Sequence, residues 1–177
     1  LAVSRPLLPH KPYKYGEVVI SGYYGYRNMG DDSLLAVIIE QLRAAKPDVT
    51  ITALTGDPKN MELRFGVKCV HRYNPIAIRR AMKHAKLLIS GGGSLLQDVT
   101  SLKSLIYYLA VIVTAFVFNK KVVIFAQGFT PFRTSFGKLM TKNVLKHCHK
   151  ITVRDLKFSC LLKVMFESFI EFVSYSI

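Results

Sequence analysis

Three short apolar runs in this sequence break into glycine. Val18-Val19-Ile20-Ser21 leads into Gly22-Tyr23-Tyr24-Gly25, Leu88-Ile89-Ser90 into Gly91-Gly92-Gly93-Ser94, and Phe125-Ala126 into Gln127-Gly128. Glycine tolerates positive φ and lets backbone amides close in on an anion. A helix that follows such a loop adds partial positive charge at its first turn. The chemistry that suits this pattern is capture of phosphate or carboxylate by main-chain donors. Each loop alone reads first as a tight turn, but three at successive strand ends make that reading less fitting and point to a ligand. Neither GxGxxG nor GxxxxGK[ST] occurs, so a dinucleotide fingerprint and a P-loop are both unsupported.

Polar residues gather behind these loops. Asp31 and Asp32 follow Gly30. They suit a helix N-terminus and its dipole; alternatively, one accepts a hydrogen bond from a sugar hydroxyl or acts as a base. Gln97 and Asp98 face the same crevice if Gly93-Ser94 opens a short turn, and otherwise form a plain polar loop. Arg27, Arg133 and Arg154 each lie in or beside a loop after an apolar run. Arginine binds carboxylate and phosphate bidentately, though each of the three taken alone reads first as a surface cation. His147, Cys148 and His149 are of metal-ligand type. Alternate residues near a helix end do not converge on one ion, so no metal site is expected. Lys138, Lys142 and Lys146 recur every fourth residue. On a helix they form one basic stripe, suited to a bilayer surface or a lipid phosphate, or else simply solvated.

The elements that must position these residues alternate. Strands are expected over 17–21, 49–54, 86–90, 121–126 and 150–153, with a further one near 66–70. Helices are expected after Gly30–Asp32 through Leu42, from Asn74-Pro75 to about Ala85, over 102–118 and over 134–147, with Asp155 capping another. Asn is a good N-cap and Pro suits a first turn. This order predicts right-handed βαβ units in a doubly wound, mostly parallel α/β sheet. In such a sheet the ligand sits outside the carboxyl ends of the strands. Helices apolar on most sides need cover from both a sheet and other protein.

Composition narrows the partner. The chain has 177 residues, 50% of them hydrophobic, with 25 Lys and Arg against 11 Asp and Glu, for a net charge of +14. Disordered and low-complexity classes are excluded, and an anionic partner is expected. Basic blocks at 60–90 and 119–163 flank a neutral, glycine-bearing centre. Three scattered cysteines give no disulfide framework and point to a reducing, cytoplasmic compartment. The longest apolar run, Leu105–Phe118, is short for a membrane span and reads as a buried helix, with a re-entrant segment as the lesser alternative. Residues 1–16 form an extended basic tail without signal-peptide character, 17–163 a Rossmann-like domain, and 164–177 an atypical tail.

Read in order, the motifs become recognisable. The runs Val18–Asp32, Leu88–Asp98 and Phe125–Gly128, followed by Ile151-Thr152-Val153-Arg154-Asp155, resemble the N-terminal half of the polysaccharide pyruvyl transferase family. Its bacterial CsaB-type cell-wall members are the nearest in pattern, and the likeness spans roughly Val18 to Leu162. The resemblance implies a fold similar to the two-domain GT-B glycosyltransferases. It implies transfer of the pyruvyl group of phosphoenolpyruvate onto a sugar as a cyclic ketal. The implied acceptor is an N-acetylmannosamine of a lipid-linked (or nucleotide-linked) cell-wall glycan precursor, whose product anchors S-layer proteins. No cofactor is implied.

The chemistry argued beside the resemblance puts phosphoenolpyruvate on Arg154 and the acceptor side on Asp31, Gln97 and Asp98. Arg154 and Asp31 are expected to be catalytic. Gly22, Tyr23, Gly25, Arg27, Gly30, Gly91, Gly92, Gly93, Ser94, Gln97, Asp98, Gln127 and Gly128 are expected to line the substrates. A cytoplasmic protein with peripheral contact to an anionic membrane is expected, and no nucleic-acid partner. A GT-B-like site lies between two domains, so the chain is expected to stop short of the second and to be inactive alone. The rival enzyme reading is a nucleotide-sugar glycosyltransferase. The rival non-enzymatic reading is a basic module for nucleic acid or anionic membrane, although the aromatics are not interleaved with the basic runs.

Overall fold

The computed structural model describes residues 14–153 apart from Thr100 and Phe129. In chain order the elements are β1 (Val18–Tyr24), α1 (Met29–Ala45), β2 (Ile51–Thr55), α2 (Pro58–Phe65), β3 (Lys68–His71) and α3 (Pro75–His84), then β4 (Leu87–Gly91), α4 (Leu102–Val117), β5 (Lys121–Gln127), α5 (Ser135–Leu145) and β6 (Lys150–Val153). The strands form one sheet in the order β3-β2-β1-β4-β5-β6, and every neighbouring pair is parallel. This is the doubly wound α/β fold, with its topological switch point between β1 and β4.

The strands are apolar on both faces because both faces are covered. Successive side chains alternate between two cores. Val18 and Ile20 of β1 join Leu35, Ile38 and Ile39 of α1 and Met61 of α2. Val19 turns the other way and joins the layer of α3, α4 and α5, with Met82, Leu105, Ile112 and Leu145. Most members of both cores are fully buried.

The helix starts follow their caps. Asn74 accepts from the Ala77 amide at 3.0 Å ahead of Pro75, as the Asn-Pro pair predicts. Thr134 accepts from the Gly137 amide at 3.0 Å and opens α5. Helix α2 is an addition to the elements expected from the sequence. Asp57 caps it, Pro58 opens it, and Gly66 ends it at φ +63. Strand β3 begins at Lys68, a little later than expected. The residues from Arg154 onward, including Asp155, lie outside the described part of the chain.

Candidate functional site at the carboxyl edge of the sheet

Because β1, β4 and β5 are neighbours, their three glycine loops sit side by side at one edge. Ser21 of β1 lies in register with Ser90 of β4, and Gly91 with Phe125 of β5. The loops are tied to one another. The Tyr24 hydroxyl donates to the Gly91 carbonyl at 2.6 Å, the Gly92 amide to the Phe125 carbonyl at 3.1 Å, and the Gly128 amide to the Gly93 carbonyl at 2.9 Å. Burial pushes the Tyr24 phenol well above its ordinary pKa, so it stays a donor.

The centre of the edge is the Gly91–Ser94 loop. Gly92 and Gly93 have φ of +82 and +73, the left-handed region that glycine enters without strain. A glycine turn without side chains lets an anion approach its main-chain amides closely. Among the described residues, no acceptor takes the amide protons of Gly93 or Ser94. A Cβ on Gly93 would lie 2.9 Å from Asp31 Oδ1. The two groups that the sequence placed far apart therefore meet: the α1 carboxylate abuts the glycine turn.

The paired aspartates divide their work. Asn28, not either Asp, is the N-cap of α1, accepting from the Gly30 amide at 3.2 Å. Asp32 is buried and structural. Its Oδ1 accepts from the Gly25 amide at 3.0 Å, and its Oδ2 pairs with Arg64 of α2 at 2.8 Å. Asp31 is half-buried and accepts from Asn28 Nδ2 at 2.6 Å. Burial, reinforced by the charge of Asp32, raises its pKa above the usual carboxylate value. That shift suits a group that must take up a proton.

Gly22 is buried in β1, where a Cβ would run into the Tyr24 ring. Gly25 sits at φ +77 beside Asp57 and Gly56 of the next loop. Tyr23 is exposed and stacked on Tyr26, with centroids 4.5 Å apart. Arg27, at φ +59, is exposed immediately before the cap of α1. Gln97 Oε1 accepts from the Thr130 hydroxyl at 2.6 Å. Gln127 is buried, with its Oε1 unsatisfied and its preceding residue, Ala126, at φ +47. Arg154 lies outside the described residues.

Asp98 is turned toward α5. It accepts from the Arg133 amide at 2.6 Å and from the Thr134 amide and hydroxyl at 2.8 and 2.5 Å. It thus braces the β4 loop against the start of α5. Burial alone would raise its pKa, but the Thr134 hydroxyl and the two amides outweigh this and hold it below the ordinary value. A depressed carboxylate stabilises the fold above its unfolded pKa, and that contribution disappears as pH falls through the folded value. Asp98→Asn is expected to lower stability by about 1–3 kcal/mol at neutral pH. It should also flatten the acid limb of the stability curve below about pH 4. Urea melts across pH 3 to 7 check both; a parallel downward shift of the whole curve would contradict the pKa argument.

Arg72 was not among the residues the sequence singled out. It follows β3 and is 2% exposed. Its guanidinium lies over five tyrosine rings, from 4.2 Å for Tyr107 and 4.9 Å for Tyr108 to 5.7 Å for Tyr23 and Tyr26, with Tyr73 between. Among the described residues it forms no ion pair, and its Nε and Nη1 have no hydrogen-bond partner. Burial opposes the charge, but the surrounding tyrosines, Tyr108 and Tyr107 foremost, keep the guanidinium protonated. Burial in turn pushes the Tyr107 phenol up to about 12. Ser21, Thr55 and Ser90, at the same ends of β1, β2 and β4, also bury hydroxyls without partners. Orphaned polar groups are rare in native interiors; here they line one edge. The signal available in the sequence was a cation inside an aromatic setting, His71-Arg72-Tyr73, with Tyr107-Tyr108 further on.

A fully parallel, doubly wound sheet with glycine loops side by side at the tips of β1, β4 and β5 defines a Rossmann-like α/β domain. The chain belongs to the polysaccharide pyruvyl transferase family, whose model matches residues 28–167. It is therefore a transferase of pyruvyl groups to polysaccharide. Among curated proteins and among solved structures nothing matches.

Proposed function

We propose that the carboxyl edge binds phosphoenolpyruvate and a hydroxyl pair of a cell-wall glycan precursor, lipid-linked or nucleotide-linked. The observation that carries this reading is the juxtaposition of the Gly93 and Ser94 amides with Asp31. The donor carries a phosphate and a carboxylate on one small skeleton. Unspent amides at a positive-φ turn suit one of these groups, and arginine suits the other. Arg154, directly after β6, is proposed for that second role, with Arg27 at the opposite lip. The chain would contribute the Rossmann-like half of a two-domain, GT-B-like enzyme working at the cytoplasmic face of the membrane, as the CsaB-type pattern implies.

The reaction balances without an external oxidant or reductant. One sugar hydroxyl adds to C2 of the donor while C3 takes a proton and becomes the methyl group. The second hydroxyl then displaces phosphate from C2 and closes the ketal. Of the two hydroxyl protons, one balances the proton gained by C3 and the other leaves on phosphate. Asp31, with its raised pKa, is the proposed acceptor of a hydroxyl proton. Gln97 and Gln127 shape the floor, with Asp98 positioning the loop above it. Main-chain donors already fixed by the sheet meet the charge that develops on phosphate.

Equilibrium binding tests this directly and needs no second domain. The chain has nine tyrosines and no tryptophan, so tyrosine emission reports on the edge occupied by Tyr23, Tyr26 and Tyr73. Saturable quenching by phosphoenolpyruvate, with none by a sugar nucleotide, is the expected result. Saturation by a sugar nucleotide with no response to phosphoenolpyruvate would establish the glycosyltransferase reading instead.

A further inference from the structure

Helix α4 presents its outer face without polar cover. Leu102, Ile106, Val113 and Val117 are exposed on it, Val117 to 72%. At 100° per residue these positions fall on one stripe. Helix α5 packs beside α4 in the same layer. Its own outward arc carries Phe136 and Leu139, both 58% exposed, together with exposed Lys138, Lys142 and Lys146. None of these lysines has an ion-pair partner among the described residues. Between Val99 and Val153 the sequence contains no Asp or Glu at all. Surface helices ordinarily turn charge outward, so an apolar stripe beside unpaired lysines marks an interaction surface.

We infer that the outer faces of α4 and α5 together dock on an anionic lipid bilayer, lying on its surface. No helix among the described residues is long and apolar enough to cross one. The apolar stripe would enter the acyl boundary, and the lysines would meet lipid phosphates. Charge complementarity selects the bilayer over a second copy of the chain. A twofold interface would press the same patch against itself, setting lysine against lysine with no carboxylate between. The geometry also serves the site. Helix α4 begins just after the Gly91–Asp98 loop, so the head of the stripe adjoins the edge where a lipid-linked acceptor would be presented. The inference rests on the lipid-linked form of the acceptor in that respect, but its test involves no turnover.

The experiment is co-sedimentation of the full chain with vesicles of phosphatidylcholine alone or mixed with phosphatidylglycerol. Binding to the mixed vesicles that weakens with added salt is expected, with far less on phosphatidylcholine alone. Lys138→Gln with Lys142→Gln should weaken binding about thirtyfold, a factor of about five per lysine. Val113→Ser with Val117→Ser should lower binding to the same vesicles with an unchanged circular dichroism spectrum. No binding to anionic vesicles, or binding indifferent to both double variants, would overturn the inference. So would a dimer in sedimentation that Val113→Glu dissolves while vesicles fail to bind. Phosphoenolpyruvate quenching that persists in any of these cases would leave the donor site standing and remove only the docking surface.

Discussion

Gly93→Ala is expected to weaken phosphoenolpyruvate binding by at least about tenfold, one unit of RT ln 10, and to make it undetectable if Asp31 is displaced. Two effects act together. The position has φ +73, where a Cβ costs on the order of 1–2 kcal/mol. The added methyl also meets the Asp31 carboxylate at 2.9 Å, closer than real contacts allow, so Asp31 or the loop must shift. Either movement separates the two groups that define the site. Stability should fall by about the backbone strain alone, because the Gly93 carbonyl that holds Gly128 belongs to the loop rather than to a core. Thermal melts and the tyrosine titration measure the two consequences separately. Full binding affinity in a stably folded Gly93→Ala protein would mean that the glycine turn does not touch the donor.

The second large effect is expected at Arg72, and its signature is a change in opposite directions. A buried charge without a carboxylate partner is a poor way to stabilise a core, and apolar replacements of such charges are often neutral or stabilising. Met is close in length and adapts to aromatic surroundings. Arg72→Met should therefore leave the melting temperature unchanged or raise it. The same change removes a buried cation that lies against the rings of Tyr23 and Tyr26, beside the edge proposed for the donor. Anion affinity should drop by tenfold or more, as expected where a residue is retained for function at the expense of stability. Loss of several kcal/mol of stability with normal phosphoenolpyruvate binding would show instead that the tyrosine cluster needs its cation only to fold.

Much of the architecture could be read from local pattern. Apolar runs ending in glycine located β1, β4 and β5, and Asn74-Pro75 located the start of α3, because caps and strand ends are set by neighbours in sequence. Helix α2 was missed although Asp57-Pro58 and Gly66 bracket it. Its eight residues include only one buried side chain, Met61, so there is little hydrophobic period to detect. The site was legible as loops and not as contacts. Asp31 and Asp32 look alike in sequence, and only the packing of α2, which brings Arg64 to Asp32, separates the structural carboxylate from the one facing the glycine turn. Asp98 read as a loop residue because its partners, Arg133 and Thr134, are 35 and 36 residues away. Arg72 read as one cation in a basic block because its burial depends on Tyr107 and Tyr108 of α4. The run Leu105–Phe118 reads as a buried helix, but the structure buries only its inner side: Ile106, Val113 and Val117 are exposed.

The central claim is that main-chain amides at the β4 tip grip the donor beside Asp31. Titrating phosphoenolpyruvate into the isotopically labelled chain, and following backbone amide resonances, reads that grip residue by residue. The account predicts saturable shifts that are largest at Gly93 and Ser94, with smaller ones at Gly30, Asp31 and Gly128. Saturable shifts confined to α5 or to the amino-terminal edge of the sheet, with the Gly91–Ser94 amides unmoved, would contradict it.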